Sequence, residues 1–522
     1  ADASLSAIWE NTLAFWKTMP DEELDFFVKE YTYPEVKWEE VGIFVGDNKY
    51  QLVIILDSPL DFIVDSGELH YDVVECLNLL PLVKRDLYEI YGDKYNTSLE
   101  TSASWGPYKL ESFQSGKEYV LVRNEHWYGY NDSKYDGQYQ TDKIVCETIA
   151  EWNTAWVKFQ AGEIDGIGID VTIADDYKNS DRAYFTPDDF VASLQLQSSK
   201  EGLKAREEAG IDKEILANVK FRKALSLAIN RETYNELCTD GDLPALGLFN
   251  SMHYYDVENG GIYRNEDVAK IVLCNIYGQN INKYSSLEEA YNALTGYDVA
   301  QARRLVDKAV DAAIAAGDYN GVDIVKLTFG NSNVYGEQIY RYLNNAWTSM
   351  LVGTKLEGKF ELEVVELGVS WVNDFRAGGY DVCVGGWSGA SWDPGYLLLA
   401  YLSPDYMYST SWDTSSAVMG FDIDPYKEGL EVYSLMDWYN ILNGVHYEYN
   451  WSRGMVADEL RVNLIAALEK EVLSTYYTIP LSAGANLELI SYKTEYVTKE
   501  YNTFMGFGDL RYLTYNYSID YR

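Results

Sequence analysis

Histidine is scarce in this chain: 522 residues contain only His70, His126, His253 and His446. A serine hydrolase built on a strand-to-helix nucleophile elbow needs a histidine after its serine in the chain. The nearest approach to a G-x-S-x-G elbow is Gly386-Trp387-Ser388-Gly389-Ala390, which ends in alanine, and only His446 follows it. The helix expected after it also starts later, near Pro394. Cysteine is nearly as rare. Cys76, Cys146, Cys238, Cys274 and Cys383 are scattered, with no C-x-x-C spacing and no clustering with histidine. An odd, dispersed set favours free buried thiols over a disulfide framework or a zinc site. There is no H-E-x-x-H, no EF-hand loop and no G-x-x-x-x-G-K-[ST]. Gly166-Ile167-Gly168-Ile169-Asp170 lacks the third glycine and the following helix of a dinucleotide loop. No metal or cofactor is therefore expected.

Long hydrophobic runs are missing too. No stretch of about 18 apolar residues exists to span a bilayer. The opening residues, ADASLSAIWENT, have neither the basic nor the apolar region of a signal peptide, so an exported form is expected to be a processed or trimmed chain. Basic residues are outnumbered, 42 against 82 acidic, for a net charge of -40. Such a surface repels nucleic acid and anionic lipid.

What is present fits a large soluble protein. Hydrophobic residues make up 47 %, and the length calls for two or three packed units at about 100–200 residues each. There are 46 tyrosines and 14 tryptophans. Their flat, amphipathic rings suit binding surfaces, although filling cores and seams between lobes accounts for many of them.

Residues 1–190 read as mixed α and β. Residues 51–56 form a short apolar strand, and 108–113 with 117–124 form a hairpin turned at Gln114-Ser115-Gly116. A helix is expected over 153–160, stopped by Gly162. Residues 200–480 are richer in helix. Apolar positions 221, 225, 228 and 229 predict one helix over 219–237. A second, over 298–316, has Asp298 as cap with Gln301 as reciprocal partner, and Gly317 closes it. Leu460, Leu464, Leu468 and Val472 mark one face of a third. Strand-like runs at 324–329, 361–367 and 381–384 lie between, which indicates an α/β lobe. Residues 475–522 turn extended again.

Four segments, in order, carry a family resemblance. Gly106-Pro107-Tyr108-Lys109-Leu110 precedes the hairpin and Arg123-Asn124-Glu125-His126-Trp127-Tyr128-Gly129 follows it. Residues 159–165 read FQAGEID, residues 219–231 read VKFRKALSLAINR, and Gly379-Tyr380-Asp381-Val382 leads to Gly386-Trp387. Together they resemble the family 5 solute-binding proteins of peptide-type ABC importers, over residues 100 to 520. The resemblance implies an α/β, two-lobe periplasmic-binding-protein-like fold (type II, cluster C) whose hinge the chain crosses twice, near 194–199 and near 480–485. The implied domains are a partial first lobe at 1–195, a second lobe at 196–480 and a return to the first lobe at 481–522. Family members open with a longer β-rich segment than the 40 residues that precede Val41 here. The first lobe is thus expected to be truncated or reduced.

The same resemblance implies ligand capture without chemistry. The ligand would be an oligopeptide or similar oligomer, and the partner an ABC permease. The protein would be an extracytoplasmic monomer, at a cell surface or in a periplasm, with a lipid anchor as its only membrane contact. The candidate ligand site is Trp387, Ser388, Gly389, Ala390, Trp392 and Asp393, with Trp371 beside it and Asn373 nearby. Small residues let a ligand backbone reach main-chain groups, and indole rings stack on apolar or sugar faces. In peptide-binding relatives an aspartate three residues after the tryptophan pairs with the ligand's amino group; Ala390 stands there instead. Asp393 is the nearest carboxylate, but Asp393-Pro394 also reads as an N-cap followed by N1 proline. An exported glycoside hydrolase, which needs two carboxylates roughly 5–10 Å apart, or an oligosaccharide-binding protein remains the alternative.

Overall fold

The computed structural model describes residues 42–49, 51–55, 82–197, 199–239, 241–257, 259–331, 335–368, 370–387, 392–409, 412–423, 430–446, 448–498 and 506–516. The chain divides into two units, residues 1–81 and 82–522. In the first, the described part is a hairpin of β1 (Ile43–Val45) and β2 (Leu52–Ile54), which pair antiparallel.

The second unit opens with an antiparallel three-stranded sheet of β3 (Tyr108–Gln114), β4 (Glu118–Arg123) and β5 (Lys143–Glu147). The predicted hairpin forms, with Gly116 at φ 70° in its turn. Trp127, from the RNEHWYG segment, is buried under Tyr130, Tyr135 and Tyr139, which meet it edge-on. Helix α1 (Trp152–Gln160) follows and ends where Gly162 turns left-handed.

The main sheet has eight strands. Its path is completed by β6 (Gly166–Gly168), β7 (Ala183–Leu196), β8 (Ile324–Asn331), β9 (Phe360–Glu366), β10 (Val382–Gly385) and β11 (Thr478–Ile490). They run in the order β9-β8-β10-β7-β11-β6, with two-residue strands at Ile211–Asp212 and Leu243–Pro244 attached beside β8 and β11. The β9-β8-β10 part is parallel, whereas β7 is antiparallel to both of its neighbours. β7 and β11 are the long strands, and they pair with each other from Thr478↔Gln195 to Leu489↔Ala183. One end of this ribbon carries β10 and the parallel strands; the other carries β6. This is the α/β, twice-crossed arrangement expected from the sequence.

The helix predicted over 219–237 is two helices, α2 (Val219–Leu227) and α3 (Arg231–Cys238). Asn230 breaks the run because its side chain accepts the Thr233 N–H and so starts a new helix. All four predicted apolar positions are nevertheless buried. Helix α4 (Val299–Ala316) is capped by Asp298, which accepts the Gln301 N–H at 2.8 Å, and Gly317 closes it. The reciprocal bond from Gln301 does not form: the Asp298 N–H donates to the Leu227 carbonyl instead, which ties α4 to the end of α2. Two short helices, α5 (Trp371–Arg376) and α6 (Pro394–Leu397), precede α7 (Asp458–Thr475) in the chain. Leu464, Leu468 and Val472 are buried, but so are Arg461, Val462, Ile465 and Leu473, so the helix is enclosed on more than the predicted face.

The family-like segments have mechanical roles. Arg222 donates to the Leu216, Ala217 and Thr475 carbonyls, and Arg231 donates to the Pro480 carbonyl at 2.7 Å. Both guanidiniums are buried and tie α2 and α3 to the point where the chain enters β11. Asp381 of the GYDV segment is fully buried. It pairs with Lys213 and Arg206, each at 2.6 Å, and accepts from the Thr328 N–H and hydroxyl at 2.8 Å. That set of bonds locks the start of β10 to β8.

Nearby, the buried Asp212 carboxyl is pushed up to about 7, by desolvation first and then by Glu207, Glu214 and Asp323, against the bond it accepts from the Ile215 N–H. A carboxyl raised in the folded state binds its proton more tightly there. Its stabilising effect is therefore complete below the unfolded value of 3.8 and is lost as pH rises to about 7. Asp212→Asn keeps the acceptor oxygen and removes the titration. Its urea midpoint is expected to exceed that of the natural chain at pH 8, with the gap shrinking at pH 5. A gap independent of pH contradicts this.

Candidate ligand-binding cleft

A cavity of about 840 Å³ lies along one side of the β7–β11 ribbon. Its floor is the ribbon itself, through Phe190, Ala192 and Ser482. One wall comes from Trp152 at the start of α1, Gly168–Asp170 after β6, and Ala485–Glu488 of β11. The opposite wall comes from Tyr234 and Cys238 of α3, Asp242, Tyr335, Trp371, Val384–Gly386 and Tyr408. The cavity thus sits where the long strands cross between two sets of secondary structure.

Its aromatic wall depends on two glycines. Trp371, first residue of α5, stacks on Tyr408 with ring centres 6.0 Å apart and planes 22° apart. The Tyr408 hydroxyl donates to the Gly386 carbonyl at 3.1 Å. A Cβ at Gly385 would lie 2.9 Å from the Tyr408 ring, and one at Gly386 would lie 2.4 Å from the Val191 carbonyl oxygen. Only glycine lets β10 pass this close to both β7 and the rings. Trp152 is fixed by its indole N–H, which donates to the Gly168 carbonyl at 2.9 Å.

Polar groups in the cleft are mostly committed. Asp242 accepts from the Ser482 hydroxyl at 2.9 Å and the Ala485 N–H at 3.3 Å. Burial pushes the Cys238 thiol up to about 12, so it stays protonated. The Tyr408 hydroxyl is likewise raised to about 12 by burial and by Cys383. The Glu488 side chain is open to water, but protein crowds it; that desolvation, followed by Asp509, raises its carboxyl above the usual range. No histidine lines the cleft among the described residues. His446 accepts the Glu448 and Tyr449 N–H groups elsewhere. Nor do the described residues include a group of three or more that could hold a metal ion.

Among the described residues, Trp371 is the one predicted site residue that lines the cavity. Trp387 follows the lining residue Gly386 and is half-buried against Tyr408 and Tyr406, with ring centres 5.7 and 6.0 Å away. Trp392 is half-buried, and its carbonyl accepts the Tyr254 N–H. Asp393 caps α6 by accepting the Gly395 N–H at 2.8 Å, and both its oxygens also pair with the buried Arg461, at 3.0 and 2.5 Å. That arginine holds the Asp393 carboxyl below its usual range against the opposing effect of burial. Ser388, Gly389 and Ala390 lie outside the described residues. Sequence reasoning missed Trp152, Tyr234, Asp242, Tyr408 and Glu488. Gly386 was inside the quoted Gly-Trp pair, but Tyr408 and Glu488 have no local pattern that marks them.

The family model for bacterial extracellular solute-binding proteins, family 5 (middle region), matches residues 13–409. The chain belongs to this family. Solved structures with the same fold include a periplasmic oligopeptide-binding protein of an oligopeptide ABC transporter (OppAIV) from Borrelia burgdorferi. It is 20% identical with TM-score 0.52, over 90% of this chain and 75% of that one. Listeria monocytogenes OppA bound to peptide matches at 16% identity and TM-score 0.53, over 92% and 75%. An oligopeptide ABC transporter substrate-binding domain from Bacillus anthracis matches at 15% and 0.54, over 90% and 74%. No curated protein matches the chain. No described helix is long and apolar enough to cross a membrane.

Removing Arg461 would take away the ion pair that both Asp393 oxygens make at the head of α6. Arg461→Met is expected to lower stability by about 3–5 kcal/mol in urea unfolding. A loss below about 1 kcal/mol would show that the pair does not hold this corner.

Proposed function

We propose that this chain captures a peptide in the cleft beside β7 and β11 and delivers it to an ABC permease, without changing it chemically. The observation that carries the reading is the cleft itself: a large cavity at the strand crossing of a family 5 chain, walled by Trp152, Trp371, Tyr408 and Tyr234. Aromatic walls around a floor of strand and glycine offer apolar contact together with main-chain donors and acceptors, which is how extended peptides are gripped. Relatives described as oligopeptide binders support the choice of ligand.

In this reading the lobes are residues 1–195 with 481–522, and residues 196–480. They close on the ligand by bending where β7 and β11 pair. Trp387 and Trp392 contact the ligand together with Trp371, and the sequence assigns Ser388, Gly389 and Ala390 to the same contact. The protein works outside the cytoplasm as a monomer, at a cell surface or in a periplasm, with a lipid anchor as its only membrane contact, and uses no cofactor. Ala390 in place of an amino-binding aspartate, and an Asp393 already engaged by Arg461, mean that the ligand is not gripped chiefly by its free amino group.

Calorimetry with a panel of peptides of four to eight residues and a matched panel of oligosaccharides tests this. Saturable peptide binding, weakened at least tenfold by Trp371→Ala, is expected. Binding of oligosaccharides alone, or turnover of either panel, would overturn it.

A further inference from the structure

The β7–β11 ladder is interrupted beside the cleft. Ala192 faces Ser482 and Val191 faces Ala483, but the next pair is Pro187 with Ala485. Asp188, Asp189 and Phe190 therefore oppose Gly484 alone. A bulge of this kind bends its strand and leaves the extra residues out of the ladder. The opposing glycine makes room for it: a Cβ at Gly484 would lie 3.0 Å from the Asp188 Cβ and 3.4 Å from the Phe190 Cβ. Phe190 is also part of the cleft floor.

Two carbonyls of the bulge are taken by one side chain. The buried Asn250 donates through Nδ2 to the Asp188 carbonyl at 2.6 Å and to the Phe190 carbonyl at 3.4 Å. Its amide is held in that orientation, because Oδ1 accepts the Met252 N–H at 2.9 Å. The His253 imidazole, pushed down to about 4 by burial and then by Arg264, stays neutral and accepts the Asn250 N–H at 3.2 Å. The turn is anchored in the core beneath it. The Leu248 N–H donates to Glu469 at 3.0 Å, Arg264 Nε donates to the Phe249 carbonyl at 3.2 Å, and Arg264 pairs with Glu469 at 2.5 Å. A stiff arm thus reaches the ribbon where it bends. On the other strand Asp242 accepts from the Ser482 hydroxyl and the Ala485 N–H, on either side of Gly484.

We propose that Asn250 is a latch on the hinge: its amide sets the bend of the β7–β11 ribbon in the ligand-free protein and so prepares the cleft for its ligand. This rests on the two-lobe, peptide-capture reading above. Asn250 is not among the described residues that line the cleft; it acts through the bulge, as a positioning residue. With the latch in place, closure starts from a narrow range of bend angles. Without it the ribbon samples more of them, and closing on the ligand must order them at a cost in affinity.

The test compares Asn250→Asp and Asn250→Ala in the full chain, with melting temperatures checked against the natural residue. The first keeps the acceptor for the Met252 N–H and removes both donors to the bulge; the second removes donors and acceptor together. Nitroxide labels replace Val157 on α1 and Leu237 on α3, both exposed, in a chain with its native cysteines replaced. Pulsed electron–electron resonance without ligand is expected to show a distance distribution at least twofold wider in both variants. Calorimetry with the peptide panel is expected to show binding at least threefold weaker in both. An unchanged distribution in either variant overturns the latch: widening by Asn250→Ala alone means that Asn250 only holds its own turn, and widening by Asn250→Asp alone that the new charge repels the carbonyls. Wider distributions with unchanged affinity overturn the claim that the latch prepares the cleft. Failure of the natural chain to bind any peptide overturns peptide capture, while the ligand-free widths still decide whether Asn250 sets the bend.

Discussion

The rest of the structure depends on the antiparallel pairing of Ala183–Leu196 with Thr478–Ile490. These strands are separated by nearly three hundred residues of chain, so everything between them must fold in a way that returns to the same sheet. The pairing is not uniform. Register shifts fall between Pro480 and Ser482 and between Ala483 and Ala485. Irregularities of this kind bend and twist a ribbon locally, and here they fall beside the cleft floor. Buried contacts fix the ribbon at the α/β end: Gln195 donates to the Gly385 carbonyl and the Thr478 hydroxyl, and Arg231 to the Pro480 carbonyl. At the other end Arg182 reaches the carbonyls of Ile490, Ser491 and Thr494. A bent segment held at both ends is a physical basis for a hinge.

Buried charge is used in this chain to fix joints. Asp381 with Lys213 and Arg206, Glu469 with Arg264 and Tyr263, and Asp393 with Arg461 each bring together segments distant in sequence. Desolvation makes such groups poor sources of net stability, but breaking one is costly, so each joint has a single low-energy geometry. The cleft wall is chiefly aromatic, and its Asp242 is held by Ser482 and Ala485.

Much of the fold was legible because its signals are local. The 108–124 hairpin, the Asp298 cap, the Gly317 stop and the strand at 324–329 all declare themselves within a few residues. The break at Asn230 was hidden because the apolar stripe at 221, 225, 228 and 229 continues to the break while the capping side chain starts a second helix. The site was less legible. Its aromatic wall pairs Trp371 with Tyr408, a pairing that cannot be read without the sheet order. The motif reading came within one residue at Gly386, where the tight approach to Val191 explains the glycine, and then followed the chain into the Asp393 cap, which faces Arg461. Capping chemistry, evident in Asp393-Pro394, and the Arg461 pair account for the contacts at that position.

The central claim is that the β7–β11 ribbon is a hinge that ligand closes. Its most direct test is the distance between nitroxide labels at exposed positions 157 and 237, on helices at opposite walls of the cleft, in a chain with its native cysteines replaced. Pulsed electron–electron resonance with and without a saturating peptide is predicted to show a broad, longer distribution that becomes shorter and narrower on binding. A distribution that saturating peptide leaves unchanged would contradict the account.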